Sequence, residues 1–237
     1  MDLGDILNRR SDLSTFLVHL TRETDGALAS ENLRSIILER KIRARSVFGH
    51  LRTHLQEKNH NLDSQKCVCF TETPLEYTHL LVAEIANRDF TFSKYGLALT
   101  KKVARLRGVN PVWYVDITQP PVGYRDWLTN PLDQLVTRYA EGNYTDEALG
   151  RLFPFIEHMG TGRNYRKEFW WEREWRHVGD FALPDTVICL CPENEGDTFD
   201  SLLRESHLNG RCIDPTWSLE KIVAKLAGFS SSDIDLG

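Results

Sequence analysis

The stretch STFLVHLT, from Ser14 to Thr21, is the first part of the chain with the pattern of a β-strand. Its apolar run and its polar end are typical of a short strand. In the segment that follows, ASENLRSIILERKI, Leu33, Ile36 and Ile37 recur at helical spacing, and Ser30 is a suitable N-cap. The sequence therefore predicts a strand followed by a helix at the start of the fold.

Further strands and helices follow in an order that is not a regular alternation. Strand patterns occur at 65–74, 93–100, 110–117, 174–181 and 186–191, and helical patterns occur at 74–87, 101–108, 197–208 and 218–228. This order predicts an α+β fold with a mostly antiparallel or mixed sheet. Neither G-x-G-x-x-G after the first strand nor G-x-x-x-x-G-K-[ST] is present, which excludes the usual dinucleotide and nucleotide cradles.

Residues 119–165 differ in character from the segments around them. A turn, QPPVG, precedes two helical patterns, NPLDQLVTRYAEG and TDEALGRLFPFIEHMG. We interpret 119–165 as a helical insertion within a single domain that spans residues 1–237. The final segment, FSSSDIDLG at 229–237, is predicted to be a flexible tail.

Composition and charge indicate where in the cell the protein is expected and which partners it could bind. The chain is 41% hydrophobic, and its longest apolar runs are far shorter than a membrane span. The first residues lack the features of a signal peptide, so we expect a cytoplasmic protein with no membrane partner. The net charge is −5, and from Asp180 onward 11 Asp and Glu face only 4 Lys and Arg. The segment 40–54 is locally basic, which leaves a nucleic-acid partner open.

The five cysteines are Cys67, Cys69, Cys189, Cys191 and Cys212. An odd number in a chain of this length does not indicate a disulfide framework. The two C-x-C pairs place both thiols on one face of a strand, whereas zinc sites more often use C-x-x-C or wider spacing. We therefore expect small core residues and no metal.

The stretch FWWEREWRH, at 169–177, contains the strongest candidate for catalytic carboxylates. A strand over 171–177 would place Glu172 and Glu174 on one face, with Arg173 on the other. Two carboxylates this close repel each other, so a buried core strand would not favour them. A solvated edge strand is the more common explanation of E-x-E alone. The alternative is a strand that presents both carboxylates to a substrate.

Five polar or aromatic residues on other elements could contact a ligand. His19 and Thr21 share one face of the first strand, and a histidine there can donate to ribose hydroxyls or a phosphate. Asn32 lies at the start of the next helix, where free N–H groups favour anions. Thr71 and Tyr95 each lie at a strand end, and Tyr95 could stack on a flat ring. Taken singly, His19 and Tyr95 are more often structural residues.

The order of these motifs resembles known families. His-x-Thr on the first strand followed by N-L-x-S-I-I on a helix resembles the opening of the DarT-type ADP-ribosyltransferases, H-x-T…N-L-x-x-I. The segments CFTETP, YGLAL, NPVWYV and EREWRHVG are similar to the AbiGi family of abortive phage-infection proteins. The two resemblances together cover about residues 14–190. They imply a split, mixed or antiparallel sheet of the ADP-ribosyltransferase type with NAD in its cleft.

The resemblance also implies an activity, that of an NAD-dependent mono-ADP-ribosyltransferase toxin in antiphage defence. Glu174 would accept the ribose 2′-OH and stabilise the oxocarbenium-like cation that forms when the glycosidic bond breaks. Glu172 would orient or deprotonate the acceptor. His19 would hold the adenosine-side ribose. On this basis, Glu174 and Glu172 are expected to face a cleft shared with His19.

The remaining residues would complete the NAD site. Thr21 and Asn32 would contact the diphosphate or the nicotinamide region, Tyr95 would stack on nicotinamide, and Thr71 would line the site. These enzymes also have an arginine between the first two strands that pairs with a phosphate. Arg43, Arg45 and Arg52 all match that position, and we take Arg45 as the candidate.

Two further questions concern the partner and the role. The acceptor would be nucleic acid, RNA or DNA, or else protein, with an antitoxin protein as a further partner. The alternative function is a non-catalytic sensor or antitoxin that binds a protein partner through the helical insertion and the acidic C-terminal part. A nuclease is disfavoured because the Asp, Glu and His residues do not form a cluster with metal-ligand spacing.

Overall fold

The computed structural model describes residues 12–24, 26–49, 52, 65–83, 91–116, 118, 131, 133–138, 150–161 and 166–229. The chain divides into two compact units. The first unit draws on residues 1–42, 70–107 and 182–237, and the second on 43–69 and 108–181. Helices together with parallel and antiparallel strands make the fold α+β with a mixed sheet, as the sequence predicts.

The sheet of the first unit is built around β1 (Phe16–Leu20). β1 is antiparallel to β5 (Gly96–Thr100) on one side and to the last residues of β4 (Lys66–Thr71) on the other. On the far side of β5, β12 (Thr186–Leu190) runs antiparallel to it and parallel to β13 (Asn209–Ile213). The parallel pair requires a crossover connection, which passes through a helix.

One face of this sheet packs against α2 (Thr78–Val82) and α5 (Leu219–Ala227). Alternate residues of the strands point to the same side of a sheet, so each strand contributes every second residue to this core. The buried cluster consists of Val18, Leu20, Leu75, Leu81, Ala98, Ile188, Leu190, Ile213 and Ile222.

The opposite face of the same sheet is also covered by helices. α4 (Gly196–Glu205) connects β12 to β13, and its Leu203 lies against Gly210 of β13. α1 (Ala29–Glu39) packs against α4. Because both faces are buried, β1, β5 and β12 have almost continuous apolar sequences rather than a strict alternation. The strand residues on this second face include His19, Leu97, Cys189 and Cys212.

The second unit contains two groups of strands. In the first group, β3 (Ser46–Val47) is antiparallel to the beginning of β4. The same group contains β10 (Glu174–Val178) and β6 (Asn110–Pro111), which are antiparallel to each other.

In the second group, β7 (Trp113–Asp116) is parallel to β8 (Ile156–Thr161), and β8 is antiparallel to β9 (Arg166–Lys167). The remaining described elements are short. They are α3 (Lys101–Leu106), β2 (Lys41–Ile42), β11 (Phe181–Ala182) and the 3-10 turns Leu75–Tyr77, Phe153–Phe155, Phe169–Glu172 and Glu193–Glu195.

Several predicted elements are confirmed, and some details differ. The predicted N-cap of α1 is wrong, because Leu28 occupies that position and its N–H donates to Glu31 Oε2 at 2.8 Å. The Ser30 side chain instead hydrogen-bonds to Tyr95. Strand β13 was not predicted, since NGRCI has little apolar pattern. Within the described ranges, no helix is long and apolar enough to cross a membrane.

The predicted helical insertion at 119–165 is wrong over its last part. Ile156–Thr161 is strand β8, and a 3-10 turn containing Pro154 precedes it. Pairing with β7 overrides the helical pattern of the sequence, and the preceding proline disfavours a continuous helix. Residues 133–138 are helical as predicted, whereas 119–130 and 139–149 lie outside the described residues. The predicted tail also lies outside them, except for Phe229.

Gly96 is a position of the first unit where a side chain has little room. A Cβ at Gly96 would lie 2.4 Å from the backbone oxygen of His19, so β1 and β5 would have to move apart. We expect Gly96→Ala to lower the free energy of unfolding by about 2 kcal/mol, as overpacking of a core does. Urea unfolding followed by circular dichroism measures this difference.

Gly196→Ala is the matched control for this experiment. Gly196 begins α4 with helical φ and ψ angles, and a Cβ there has no described atom within 4 Å. This substitution is expected to leave stability unchanged or to raise it by up to about 1 kcal/mol. Equal destabilisation by the two variants would contradict the close approach of β5 to β1.

Candidate functional site

The segment with the predicted carboxylate pair folds differently from the prediction. Phe169–Glu172 forms a 3-10 turn, Arg173 follows in a left-handed conformation with φ of 47°, and strand β10 begins only at Glu174. The prediction that Glu172 and Glu174 alternate on one strand face is therefore wrong. The turn closes through a hydrogen bond from Arg173 N to Trp170 O at 3.2 Å, and the chain changes direction at Arg173.

Glu174 is held in place by two residues of the second unit. Arg176 lies two residues further along β10, so both side chains point to the same side of the strand. Arg176 Nε donates to Glu174 Oε1 at 2.9 Å, and Arg176 Nη2 donates to Oε2 at 2.8 Å. The hydroxyl of Tyr114 also donates to Oε2, at 3.3 Å. The Glu174 side chain is 17% exposed.

Arg176 is the most buried charged residue of this network, with a side chain that is 1% exposed. Its Nη1 donates to the backbone oxygen of Pro154 at 2.5 Å, and its Nη2 donates to Glu157 Oε2 at 2.9 Å. The ring of Phe48 lies 4.9 Å from the guanidinium carbon, a cation–π contact. Burial alone would lower the pKa of Arg176, but Glu174 and then Glu157 raise it well above its usual value.

Glu157 is the second counterion of Arg176. It lies on β8, and Lys167 of β9 donates to its Oε1 at 2.5 Å. Burial raises the pKa of this carboxyl group, but Lys167 and Arg176 outweigh burial and lower the pKa from 4.5 to about 2. The network therefore contains two carboxylates and two cations, and its formal charges cancel.

The other titratable neighbours of the network stay neutral. Burial raises the pKa of the Cys67 thiol to about 12, and burial together with Glu174 raises the pKa of Cys69 well above its ordinary value. Burial and Glu174 also raise the pKa of Tyr114. Neither thiol is therefore a thiolate nucleophile at neutral pH.

The network holds the carboxyl group of Glu174 in a fixed orientation. A carboxylate offers about four acceptor positions, and Arg176 and Tyr114 use three of those on Glu174. The thiol of Cys69 also hydrogen-bonds to Glu174. An oriented carboxylate of this kind can stabilise a cation or accept a hydrogen bond from a hydroxyl group.

The first unit contains the five residues predicted to bind a cofactor. Thr21 and Tyr95 contact each other, because Thr21 N donates to Tyr95 O at 2.8 Å. The Thr21 hydroxyl lies 2.9 Å from Ala29 O and 3.1 Å from Tyr95 O, so it donates to backbone oxygens. Thr71 Oγ1 lies 2.9 Å from Thr73 Oγ1 in a hydrogen bond.

Asn32 and His19 also have partners within the first unit. Asn32 Nδ2 donates to the backbone oxygen of Arg22 at 3.0 Å and to Thr24 Oγ1 at 3.1 Å. These two bonds hold the loop between β1 and α1. The ring of His19 meets the ring of Phe70 edge-on, with centroids 5.8 Å apart.

Tyr95 is anchored at both ends of its side chain. Its hydroxyl donates to Glu195 Oε1 at 2.5 Å, and its ring lies at 6.0 Å from the ring of Phe199. Burial and the bond to Glu195 raise the pKa of Tyr95 to about 12.

The predicted phosphate-binding arginine, Arg45, belongs to the second unit. It is exposed and lies immediately before β3.

The sequence did not indicate Arg176, Glu157 or Tyr114 as members of a site. Glu157 lies in a segment with a helical pattern, and nothing local relates it to a strand more than a dozen residues away. The spacing of Glu174 and Arg176 was the available signal, because residues i and i+2 of a strand point to the same side.

A second cluster lies in the first unit and consists of three buried cysteines. The Sγ atoms of Cys189, Cys191 and Cys212 all lie within 4.8 Å of one another. Hydrogen bonds from the thiols of Cys189 and Cys212 lower the pKa of Cys191 to about 5. Cys191 and Cys212 also line a pocket of about 90 Å³, together with Asp197, Asp214 and Lys225.

Comparisons of the chain with protein-family models, with curated proteins and with solved structures found no match. Two places among the described residues thus combine buried groups able to do chemistry. One is the Arg176 network of the second unit, formed by Glu174, Arg176, Glu157, Lys167 and Tyr114. The other is the three-cysteine cluster of the first unit.

The lowered pKa of Glu157 predicts how stability depends on pH. The stabilisation is present above the unfolded-state pKa of 4.5 and is lost as the pH falls through the folded-state value of about 2. A shift of this size corresponds to about 3 kcal/mol. We expect Glu157→Gln to be less stable than the wild type by about that amount at pH 7, with the difference closing as the pH falls towards 2. Urea unfolding at a series of pH values measures it.

Glu168→Gln is the control, because Glu168 lies in the same unit and its bonds to Thr161 and Trp170 are at the exposed surface. This variant should differ from the wild type by less than about 1 kcal/mol at every pH. A pH-independent difference for Glu157→Gln would show that the ion pair does not stabilise the fold.

Proposed function

We propose that this protein is an NAD-dependent mono-ADP-ribosyltransferase that acts as a toxin in antiphage defence and modifies nucleic acid. The observation that carries the proposal is the Glu174 carboxylate at the start of β10, which Arg176 and Tyr114 hold in one orientation. The motif order from His19 to Glu174, which resembles the DarT-type and AbiGi families, supplies the class of reaction.

The proposed chemistry requires a fixed negative charge beside a ribose. When nicotinamide leaves, positive charge develops on the ribose, and a carboxylate that accepts the 2′-OH stabilises it. Such a group is most effective when it is already oriented before the reaction, because no reorganisation is then needed. The bidentate contact with Arg176 provides this orientation, and Glu157 offsets the positive charge of the guanidinium.

The first unit would bind the nucleotide. His19 is half-buried on a strand between two others, and Tyr95 presents a ring that Glu195 and Phe199 hold in place. The mixed sheet of this unit is compatible with a sheet of the ADP-ribosyltransferase type. Thr21 and Asn32 would act mainly by shaping the loop after β1, because their side chains bond to that loop and to its neighbours.

The acceptor is proposed to be nucleic acid on the basis of charge. Arg43 and Arg45 are both exposed in the segment that the sequence identifies as basic. Exposed arginines contact phosphates and orient a nucleic-acid strand without reading its sequence. Glu172, the last residue of the 3-10 turn before Arg173, would orient the attacking group of the acceptor.

A non-catalytic function is the second candidate, and a specific observation favours it. Arg176, Tyr114 and Cys69 together occupy the acceptor positions of Glu174, which would then serve as a counterion. In that case the protein would be a sensor or antitoxin that binds a protein partner. The acidic C-terminal part, from Asp180 onward, would be its contact surface.

Transfer of labelled ADP-ribose distinguishes the two functions. Purified full-length protein is incubated with labelled NAD and separate fractions of cellular RNA, DNA and protein. Under the proposal, label appears on a nucleic-acid fraction, and Glu174→Gln lowers the rate by about 10²- to 10³-fold. A folded wild type that neither binds NAD nor transfers label would contradict the proposal and favour the partner-binding function.

Glu157→Gln is the matched control, because it removes the other counterion of the same arginine. If Glu174 is catalytic, Glu157→Gln retains the rate to within about tenfold as long as circular dichroism shows a folded chain. If both glutamates only neutralise Arg176, the two variants lose activity together. Label on the protein fraction alone would support the transferase activity but show that the acceptor is protein and not nucleic acid.

A further inference from the structure

The three cysteines of the first unit come from two strands that meet only in the folded chain. Cys189 on β12 and Cys212 on β13 are directly paired in the parallel register. Cys191 lies just past the end of β12, and its N–H donates to Ile213 O at 3.1 Å, which extends the ladder. All three thiols are buried and free of disulfide bonds.

The convergence of the three sulfur atoms goes beyond what the strand geometry imposes. Residues two apart on a strand have Cα atoms about 6.6 Å apart, so the Cys189 and Cys191 side chains must lean towards each other. Their Sγ atoms nevertheless lie within 4.8 Å of each other and of Cys212 Sγ. Three thiolates bound to one Zn²⁺ at about 2.3 Å in a tetrahedral arrangement lie about 3.8 Å apart, so a small rotamer adjustment would complete such a site.

We propose that Cys189, Cys191 and Cys212 form a binding site for a thiophilic divalent cation, Zn²⁺ in the first place, with the fourth position open to the adjacent pocket. This site does not depend on the proposed transferase activity. Cys191 and Cys212 both line the pocket, so an ion has an entry path and a water molecule can complete the coordination.

The surroundings of the cluster suit a bound cation. Asp200 Oδ1 accepts a hydrogen bond from Cys212 N at 2.8 Å and so fixes the backbone beside that ligand. Lys225, which lines the pocket, lies 3.6 Å from Asp200 Oδ2. Three thiolates with a divalent ion leave one negative charge, whereas a monovalent ion would leave two. Lys225 already pairs with Asp200, and Asp197 and Asp214 line the same pocket, so the smaller negative charge is favoured. The charge therefore favours a divalent cation over Cu⁺.

The sulfur of Cys191 hydrogen-bonds to the thiols of both Cys189 and Cys212, which agrees with three ligands directed at one centre. The thiol protons of Cys189 and Cys212 take part in these hydrogen bonds. Zn²⁺ would replace those protons, as thiol ligands are deprotonated on binding. From the sequence, C-x-C spacing favoured core residues without metal, and the third ligand from β13 changes that interpretation.

Metal content and a cobalt spectrum test the proposal. Full-length protein purified under reducing conditions is analysed by mass spectrometry for metals, and the chelated protein is titrated with Co²⁺. We expect about one Zn²⁺ per chain, together with thiolate-to-cobalt charge-transfer bands and visible bands of tetrahedral intensity. Substitution of Cys189, Cys191 or Cys212 by Ala should weaken Co²⁺ binding at least about tenfold.

Cys67→Ala is the matched control, because Cys67 is equally buried but lies in the second unit. It should keep the metal content and the cobalt spectrum of the wild type. Wild-type protein that is folded, fully reduced and without cobalt charge-transfer bands would overturn the proposal, even if the alanine variants fail to fold. Binding of Cu⁺ alone would overturn the divalent assignment, and a disulfide between two of the three cysteines in freshly isolated protein would overturn the site.

Discussion

The guanidinium of Arg176 is the charge around which the second unit is organised. A buried cation is tolerated only when its N–H groups and its charge both have partners. Arg176 obtains them from three separate parts of the chain: Glu174 on its own strand, Pro154 in the turn before β8, and Glu157 on β8. The ion network thus joins β10 to β8 and to the turn before β8, and loss of one partner leaves the others with an uncompensated charge.

The two units are stabilised by different interactions. In the first, five strands bury apolar residues on both faces, and the polar side chains bond to nearby loops. In the second, β3, β6 and β9 have two residues each, and buried charge replaces part of the apolar core. The candidate chemistry is divided in the same way, because the first unit holds the three-cysteine cluster and the second holds the Arg176 network with its two carboxylates.

The sequence predicted most of the first unit, because its strands and helices other than β13 have clear local patterns. β1, β5, α1 and α5 all occur close to where the apolar periodicity predicts them. It failed where tertiary contacts decide the local conformation. Ile156–Thr161 has a helical pattern but pairs with β7, and the left-handed Arg173 ends the turn that separates Glu172 from Glu174. Partners such as Arg176 and Glu157 are distant in sequence, so no local pattern relates them.

The parallel pairing of β12 with β13 has a consequence for the order of folding. Parallel neighbours cannot be joined by a tight turn, so β13 reaches its place only after the chain has crossed over through α4. The apolar side of α4, with Phe199 and Leu203, is part of this crossover, so Cys212 lies beside Cys189 only when the crossover is complete. Protection of Cys212 from chemical labelling during refolding would therefore report the completion of the crossover.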